Sequence, residues 1–408
     1  MNFVDIVFFF YMFVGLYMLS LLVLIHIPSK KRLFEHPIGK PEPVSIIMPC
    51  FNDGEHIGEA INSLLNLDYP KDMIEIIVVD DKSTDNSVAI VKKYTSKYKN
   101  VRLIIHEKNS GCAAGPTNTG IKAAKYNYIA TADADSTPAK DALIKMIGFL
   151  QQDDKTAAVT CAVLAKKPET FFQKVQAIEY SIIAWNRKLF DMIDSVYVTP
   201  GPFALYRKKN LIDAGLFDTN NLTQDIEIVW RLRSRGYNAK MCLDTLVESA
   251  TPLSFSKWFK QRVRWNIGGT QTLLKYKKSV FRNGMLGGFI IPFFSASLFL
   301  GLVGLGLFSY IILKKFLLYY LTTKYSILGD TSILFLDDFT FSPSILNFFG
   351  LTLFLSSVFF TFEGLGVMSQ KRKGNLFNIF FYMLIYLAIY PIIMITGVTK
   401  LAIGRYSW

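Results

Sequence analysis

The sequence predicts an α/β protein, with a mostly parallel sheet carrying helices on both faces, flanked by transmembrane helices. Two patterns predict this. Between residues 44 and 163, short apolar runs alternate with helix-like runs, the pattern of strand–helix–strand units. Outside that region are four long stretches without Asp, Glu, Lys or Arg: Ile6 to Ile27, Asn283 to Leu313, Phe339 to Phe362 and Asn375 to Thr399. Each is long enough to cross a hydrocarbon core of roughly 30 Å as a helix. A third observation places the chemistry. Carboxylates stand where strands end, and open α/β sheets bind ligands just beyond those ends.

Taken in order, residues 1–27 read as a transmembrane helix. They lack a basic leading region and a small-x-small cleavage site, so a retained anchor is expected rather than a removed signal. Residues 28–43 are a basic, proline-containing linker. Val44 to Pro49 is the first strand and Glu55 to Leu65 a helix. Ile74 to Val79 is a strand, and Asp85 to Tyr94 a helix opened by Ser83 or Thr84 as N-cap. Val101 to His106 is a strand, followed by a helix ending near Lys125. The strand at Tyr128 leads into Asp133-Ala134-Asp135, then a helix over Pro138 to Leu150 and a strand over Ala157 to Val163.

From Pro168 to Ile193, Phe171, Phe172, Val175, Ile178, Ile182, Trp185 and Leu189 recur at helical spacing. This is either a core-facing helix or one near the membrane or an acceptor. A globular domain is expected over 44–252. Residues 253–284, basic and aromatic, read as an interfacial segment resting on the bilayer. Lys257, Lys260 and Arg262 are expected to face solvent or lipid. Spans follow over 285–313, 343–368 and 376–400, with an extracytoplasmic loop over 314–342.

The chain has 408 residues, of which 51% are hydrophobic, and its net charge is +13. Such charge raises the question of nucleic acid. The basic clusters instead flank the apolar spans: Lys30 to Arg32, Lys257 to Arg264, Lys275 to Lys278 and Lys371 to Lys373. With four spans these clusters fall on one side, which the positive-inside rule makes the cytoplasm. No nucleic-acid partner is expected. The expected location is the plasma membrane, with the globular domain cytoplasmic. Cys50, Cys112, Cys161 and Cys242 lack metal-ligand spacing and read as free thiols in a reducing compartment. Oligomeric state is not readable.

Two carboxylates at i and i+2 point the same way on an extended backbone, and two hard oxygen donors suit Mg²⁺ or Mn²⁺. Asp133 and Asp135 fit that pattern, although a solvated turn would also have it. Asp80 and Asp81 follow the second strand, either as part of a capped turn or as acceptors for a base or ribose. Asp225 stands at the start of a helix, where it is either a cap or a general base. Gln261, Arg264 and Trp265 form the most distinctive group. A guanidinium neutralises diphosphate and an indole offers a flat face to a sugar.

In chain order, these residues lie in Ile46 to Asp53, Val78 to Asp85, Asn109 to Gly111 through Asn118 to Gly120, Asp133 to Asp135, Gly201 to Arg207, Thr223 to Asp225 and Gln261 to Trp265. Together they resemble the family 2 inverting glycosyltransferases of GT-A fold over about residues 44–270. The Gln-x-x-Arg-Trp group beside membrane spans is similar to the membrane-integrated branch. That branch includes synthases of cellulose, chitin, hyaluronan and poly-N-acetylglucosamine, and ceramide glucosyltransferases. Gln224 stands where the family usually has Glu.

The resemblance implies a nucleotide-sugar donor, most simply a UDP-sugar, and a polysaccharide or lipid acceptor at the bilayer. It implies donor contacts at Pro49, Asn52, Asp80, Asp81, Asn118, Asp133, Gln261 and Arg264. It also implies acceptor contacts at Phe203 and Trp265, metal ligands at Asp133 and Asp135, and Asp225 as base.

Overall fold

The computed structural model describes residues 3–329, 345–368 and 375–406. α1 (Phe3–Ser29) leads to β1 (Val44–Cys50), α2 (Ile57–Leu65), β2 (Ile74–Asp80), α3 (Ser87–Lys97), β3 (Val101–Ile105), α4 (Ala114–Ala123) and β4 (Tyr128–Ala132). β1 pairs in parallel with β2 and β4, and β2 with β3. β2 is buried along its whole length and β1 nearly so, because helices cover both faces and an alternating pattern would put polar groups in the core. The cap expected at Ser83 or Thr84 falls instead on Asn86.

β5 (Ser136–Pro138), α5 (Ala142–Gln152), β6 (Thr156–Ala165), α6 (Phe171–Met192), β7 (Phe203–Arg207), α7 (Lys208–Ala214), α8 (Gln224–Ser234) and β8 (Asn238–Ser249) complete the sheet and its covering helices. The strand order is β3-β2-β1-β4-β7-β6-β8-β5. The sheet is mixed rather than uniformly parallel. β7 runs antiparallel to β4 and β6, and β5 antiparallel to β8. The chain leaves α6 and reaches the sheet at the carboxyl end of β4, where Phe203 pairs with Ala132, so β7 must run back. That entry sets Pro200-Gly201-Pro202 beside Asp133.

α6 begins with a reciprocal cap between Thr170 and Gln173. It lies between the sheet and the apolar helices. Trp185 is fully buried, with its ring 4.3 Å from Phe360 and 5.1 Å from His26. α9 (Phe255–Tyr276) packs on α8 and on the last apolar helix. Its Trp258 and Arg262 are buried inside the protein. Arg262 therefore faces neither solvent nor lipid, because its charge is matched by a partner far away in sequence.

Four helical stretches are long and apolar enough to cross a membrane: Ile6–Arg32, Leu286–Leu328, Leu351–Met368 and Leu376–Ala402. The second contains α10 (Ile291–Leu328), which continues through Lys314 and Lys315. The expected loop from 314 therefore begins as helix, and residues 330–344 of it lie outside the described residues. At 1.5 Å per residue this stretch is about 65 Å long, roughly twice a hydrocarbon core. α11 (Ile345–Met368) follows. The last stretch runs from α12 (Leu376–Phe381) through a π turn at Tyr382–Tyr386 and a 3₁₀ turn at Leu387–Ile389 into α13 (Tyr390–Ala402). Pro391 lacks an amide hydrogen, so the ladder must re-register in the preceding turns. That irregularity turns Tyr386 and Tyr390 toward α6.

At one end of these helices, Glu363 of α11 bonds His26 at 3.0 Å and Lys30 at 2.8 Å, tying α11 to α1.

Candidate active site

The carboxyl ends of β1, β2 and β4 open on one side of the sheet, where an α/β fold binds ligands. Asp80 ends β2 and is 2% exposed. Its Oδ2 accepts from the Ser83 amide at 3.1 Å, while its Oδ1 is buried without a partner among the described residues. A buried acceptor left unmade costs free energy, so Oδ1 is poised for a ligand donor.

Asp81 is different. Its carboxylate accepts from the Ser110 amide at 3.0 Å and the Ser110 hydroxyl at 2.7 Å, and lies 2.7 Å from His106 Nδ1. It anchors the loop before α4 and is not an open contact.

Asn52 and Asn118 are also engaged internally. Asn52 has φ 57°. Its Oδ1 accepts from the Thr84 amide at 2.8 Å, joining the turns after β1 and β2. Asn118 Nδ2 donates to the Phe217 carbonyl at 2.8 Å, and its Oδ1 accepts from the Phe217 amide at 2.9 Å. Both faces of that amide are spent on backbone, so the structure assigns it no donor contact. Phe203 is fully buried in the core beneath the sheet and does not line the cavity. The expectation of an acceptor contact there is corrected. Strand alternation turns this ring inward and leaves the preceding Pro200, Gly201 and Pro202 at the cavity wall.

That cavity is about 310 Å³. Asp133, Asp135, Asp225, Gln261, Arg264 and Trp265 all line it. Asp133 and Asp135 converge through a turn, closed by the Ser136 amide on the Asp133 carbonyl at 3.1 Å, and not through an extended strand. A Cβ on Gly201 would lie 2.9 Å from both Asp133 oxygens, so glycine lets this loop close on the carboxylate. Pro49 lines a small adjoining hollow with Asp133 and Asp225.

Asp225 lies in the first turn of α8, where its own amide and that of Ile226 act on its carboxylate to hold its pKa down. Burial pushes its pKa up, while those amides, Arg264 and Arg187 oppose the shift. Burial also pushes Asp133 well above the carboxylate range, reinforced by Asp135 and Asp225. Arg264 faces Asp225 and Asp133, and burial lowers its pKa.

Arg262 organises its neighbours on α9. Its Nη2 donates to Glu179 Oε2 at 2.5 Å and its Nη1 to Gln261 Oε1 at 2.9 Å, and its guanidinium lies 3.9 Å from the Trp265 ring centre. Tyr386 donates to Glu179 at 2.7 Å, and Tyr390 bonds the same carboxylate. Glu227, two residues after Asp225, is fully buried and bonds Arg231, Lys275 and Tyr276, tying α8 to α9.

The sequence reading missed Tyr180, Ile183 and Arg187, which line the same cavity from α6. Their spacing of three and four residues is one helical face and was the available signal.

The profile described as glycosyl transferase family 2 matches residues 45–215. A poly-beta-1,6-N-acetyl-D-glucosamine synthase of Staphylococcus epidermidis is 30% identical over 352 residues, covering 86% of this chain and 79% of that protein. A protein of the same name from Staphylococcus aureus (strain COL) is 31% identical over 239 residues, covering 58% of this chain and 57% of that one. Among solved structures, a mannosyltransferase from Pyrobaculum calidifontis in complex with GDP-Man and Mn²⁺ aligns with TM-score 0.60 at 17% identity, over 97% of this chain and 99% of that one. At that identity the likeness establishes a shared fold.

The placement of Phe203 and Trp265 predicts opposite phenotypes. Phe203→Ala should cost about 3–5 kcal/mol of stability, read as a lower melting temperature, with acceptor KM unchanged in the folded fraction. Trp265→Ala should keep the melting temperature close to wild type and weaken acceptor use. The assignment is wrong if Phe203→Ala melts normally and raises acceptor KM.

Proposed function

The chain belongs to glycosyltransferase family 2, and from that premise we propose that it extends a polysaccharide at a membrane, transferring a hexosyl unit from a UDP-sugar with inversion. UDP-N-acetylglucosamine is the first donor to try, since the staphylococcal relatives are named for a polymer of that sugar. The observation that carries the reading is the single cavity in which Asp225 shares walls with Asp133, Asp135, Gln261, Arg264 and Trp265. In this reading the base comes from α8, the carboxylate pair from the turn after β4, and the diphosphate cation and sugar platform from α9.

In this reading Asp80 Oδ1 accepts from the nucleotide. The acceptor end group rests on Trp265. Asp225 takes the proton of its hydroxyl, whose oxygen attacks the anomeric carbon opposite the leaving nucleotide. Arg264 meets the charge that develops on the diphosphate. The raised pKa of a buried Asp225 makes it a stronger base than an exposed aspartate.

Asp133 and Asp135 fit a divalent cation. They are paired oxygen donors beside one cavity, and burial leaves Asp133 with negative charge around it to be neutralised. No cluster of three or more His, Cys, Asp or Glu ligands occurs among the described residues, so donor phosphates and water would complete the shell. Bound there, Mg²⁺ or Mn²⁺ supplies Lewis-acid stabilisation of the leaving diphosphate. The basic flanks of the apolar helices support a cytoplasmic catalytic domain in the plasma membrane.

A specific observation favours a second reading, single transfer to a membrane lipid. Across Trp265 lies an apolar hollow of about 180 Å³, lined by Trp230, Leu273, Phe294, Leu298 and Met394, among others. It adjoins the apolar helices and has the chemistry of an alkyl chain.

Two tests follow. Purified enzyme in nanodiscs, given a panel of UDP-sugars, should yield a ladder of lengthening products by mass spectrometry. One discrete glycolipid would select the second reading instead. Removing divalent metal should abolish most turnover, and added Mg²⁺ or Mn²⁺ should restore it. Full activity with metal removal verified would defeat the roles of Asp133 and Asp135.

A further inference from the structure

Arg187 is 4% exposed, yet it lines the catalytic cavity. Its Nε and Nη1 are buried with no hydrogen-bond partner among the described residues. Its electrostatic neighbours are Tyr197, Asp225 and Cys161, and no carboxylate among the described residues lies within ion-pair distance of it. Burial of this guanidinium outweighs the attraction of Tyr197 and Asp225, so its charge is incompletely compensated within the protein. Tyr180 and Ile183 share its helical face and the same cavity, so α6 presents it to the ligand space rather than to the core.

Its position within the cavity narrows the ligand. Arg264 faces both Asp225 and Asp133, as a group between base and diphosphate must. Arg187 shares the cavity with Asp225, the carboxylate whose charge acts on it. Arg187 and Asp225 line one cavity, so an oxygen-bearing group held there can meet both. The group that must approach Asp225 is the acceptor hydroxyl.

We propose that Arg187 binds the acceptor, donating hydrogen bonds to oxygens of its end group beside the hydroxyl that Asp225 deprotonates. This rests on the reading of Asp225 as the base. A planar fork of donors suits adjacent oxygens of a sugar better than a point charge does. The same arrangement predicts that this residue is kept at the expense of stability, because its partner arrives only with substrate.

The test uses the full chain in nanodiscs with Arg187→Met and Arg187→Lys. Readouts are melting temperature, UDP-N-acetylglucosamine affinity, hydrolysis of that donor by water, and transfer to a β-1,6-linked N-acetylglucosamine oligosaccharide. Arg187→Met should melt at or above the wild-type temperature, because an unpaired buried charge has gone. Its acceptor KM should rise about tenfold or more. Donor affinity and hydrolysis should stay within about twofold, and Arg187→Lys should recover part of the acceptor affinity.

A falling melting temperature with proportional loss of every activity would make the residue structural and overturn the proposal. Equal loss of donor affinity and transfer would place it on the diphosphate and overturn it. An acid limb of the rate profile moved to higher pH, with acceptor KM unchanged, would mean it only keeps Asp225 ionised and would also overturn it. Wild-type hydrolysis without transfer to the oligosaccharide would sink the polysaccharide reading. The same variants are then compared on the membrane lipid that the wild type glycosylates, by the same criteria.

Discussion

The buried ion pair between Glu179 and Arg262 is the interaction on which the site's arrangement depends. It joins α6 to α9, and Tyr386 and Tyr390 join the last apolar helix to the same carboxylate. Both charges are nearly inaccessible to water. Removing one partner leaves the other buried and uncompensated, a loss of roughly 3–5 kcal/mol. The pair therefore specifies geometry more than it adds stability. Gln261 bonds the same guanidinium, Trp265 stacks on it, and Arg264 is two residues further along α9. Tyr180 follows Glu179 directly on α6. One electrostatic knot thus sets two walls of the cavity and ties them to the membrane helices.

The second constraint is topological. Because β7 runs antiparallel between β4 and β6, the loop before it arrives at the carboxyl end of β4. Gly201 then packs against Asp133 where any side chain would collide with the carboxylate. Further along the chain, α8 brings Asp225 to the same cavity, and Glu227 clamps that helix to α9 through Lys275 and Tyr276. Asp225 and Arg264 are thereby carried on packed helices.

Much of this was legible in the sequence, for local reasons. β1, β2 and β4 are apolar runs of strand length, and the helices between them carry their own periodicity. Asp133, Asp135, Asp225, Gln261, Arg264 and Trp265 were each ambiguous alone and do meet in one cavity. What failed depended on partners far away in the chain. Arg262 looked solvent-facing because Glu179 is 83 residues away. Asn118, named as a donor contact by the family resemblance, spends its amide on Phe217, 99 residues away. The direction of β7 and the helical course beyond Lys314 have no local signature either. Lysines near the end of an apolar run mark a membrane boundary without ending the helix. Arg187 escaped because a charge within an amphipathic helix looks like a solvated one until its surroundings are known.

In the proposed reaction, transfer depends on Asp225 as the group that takes the acceptor proton. The decisive measurement compares nucleotide affinity with sugar transfer in Asp225→Asn, purified in nanodiscs beside the wild type. Nucleotide affinity and melting temperature should be close to wild type, since the proposed reaction gives the nucleotide to Asp80 and the acceptor to Asp225. Transfer should fall by about 10²–10⁴-fold. Transfer at near the wild-type rate, or a loss that only follows unfolding, would contradict the account.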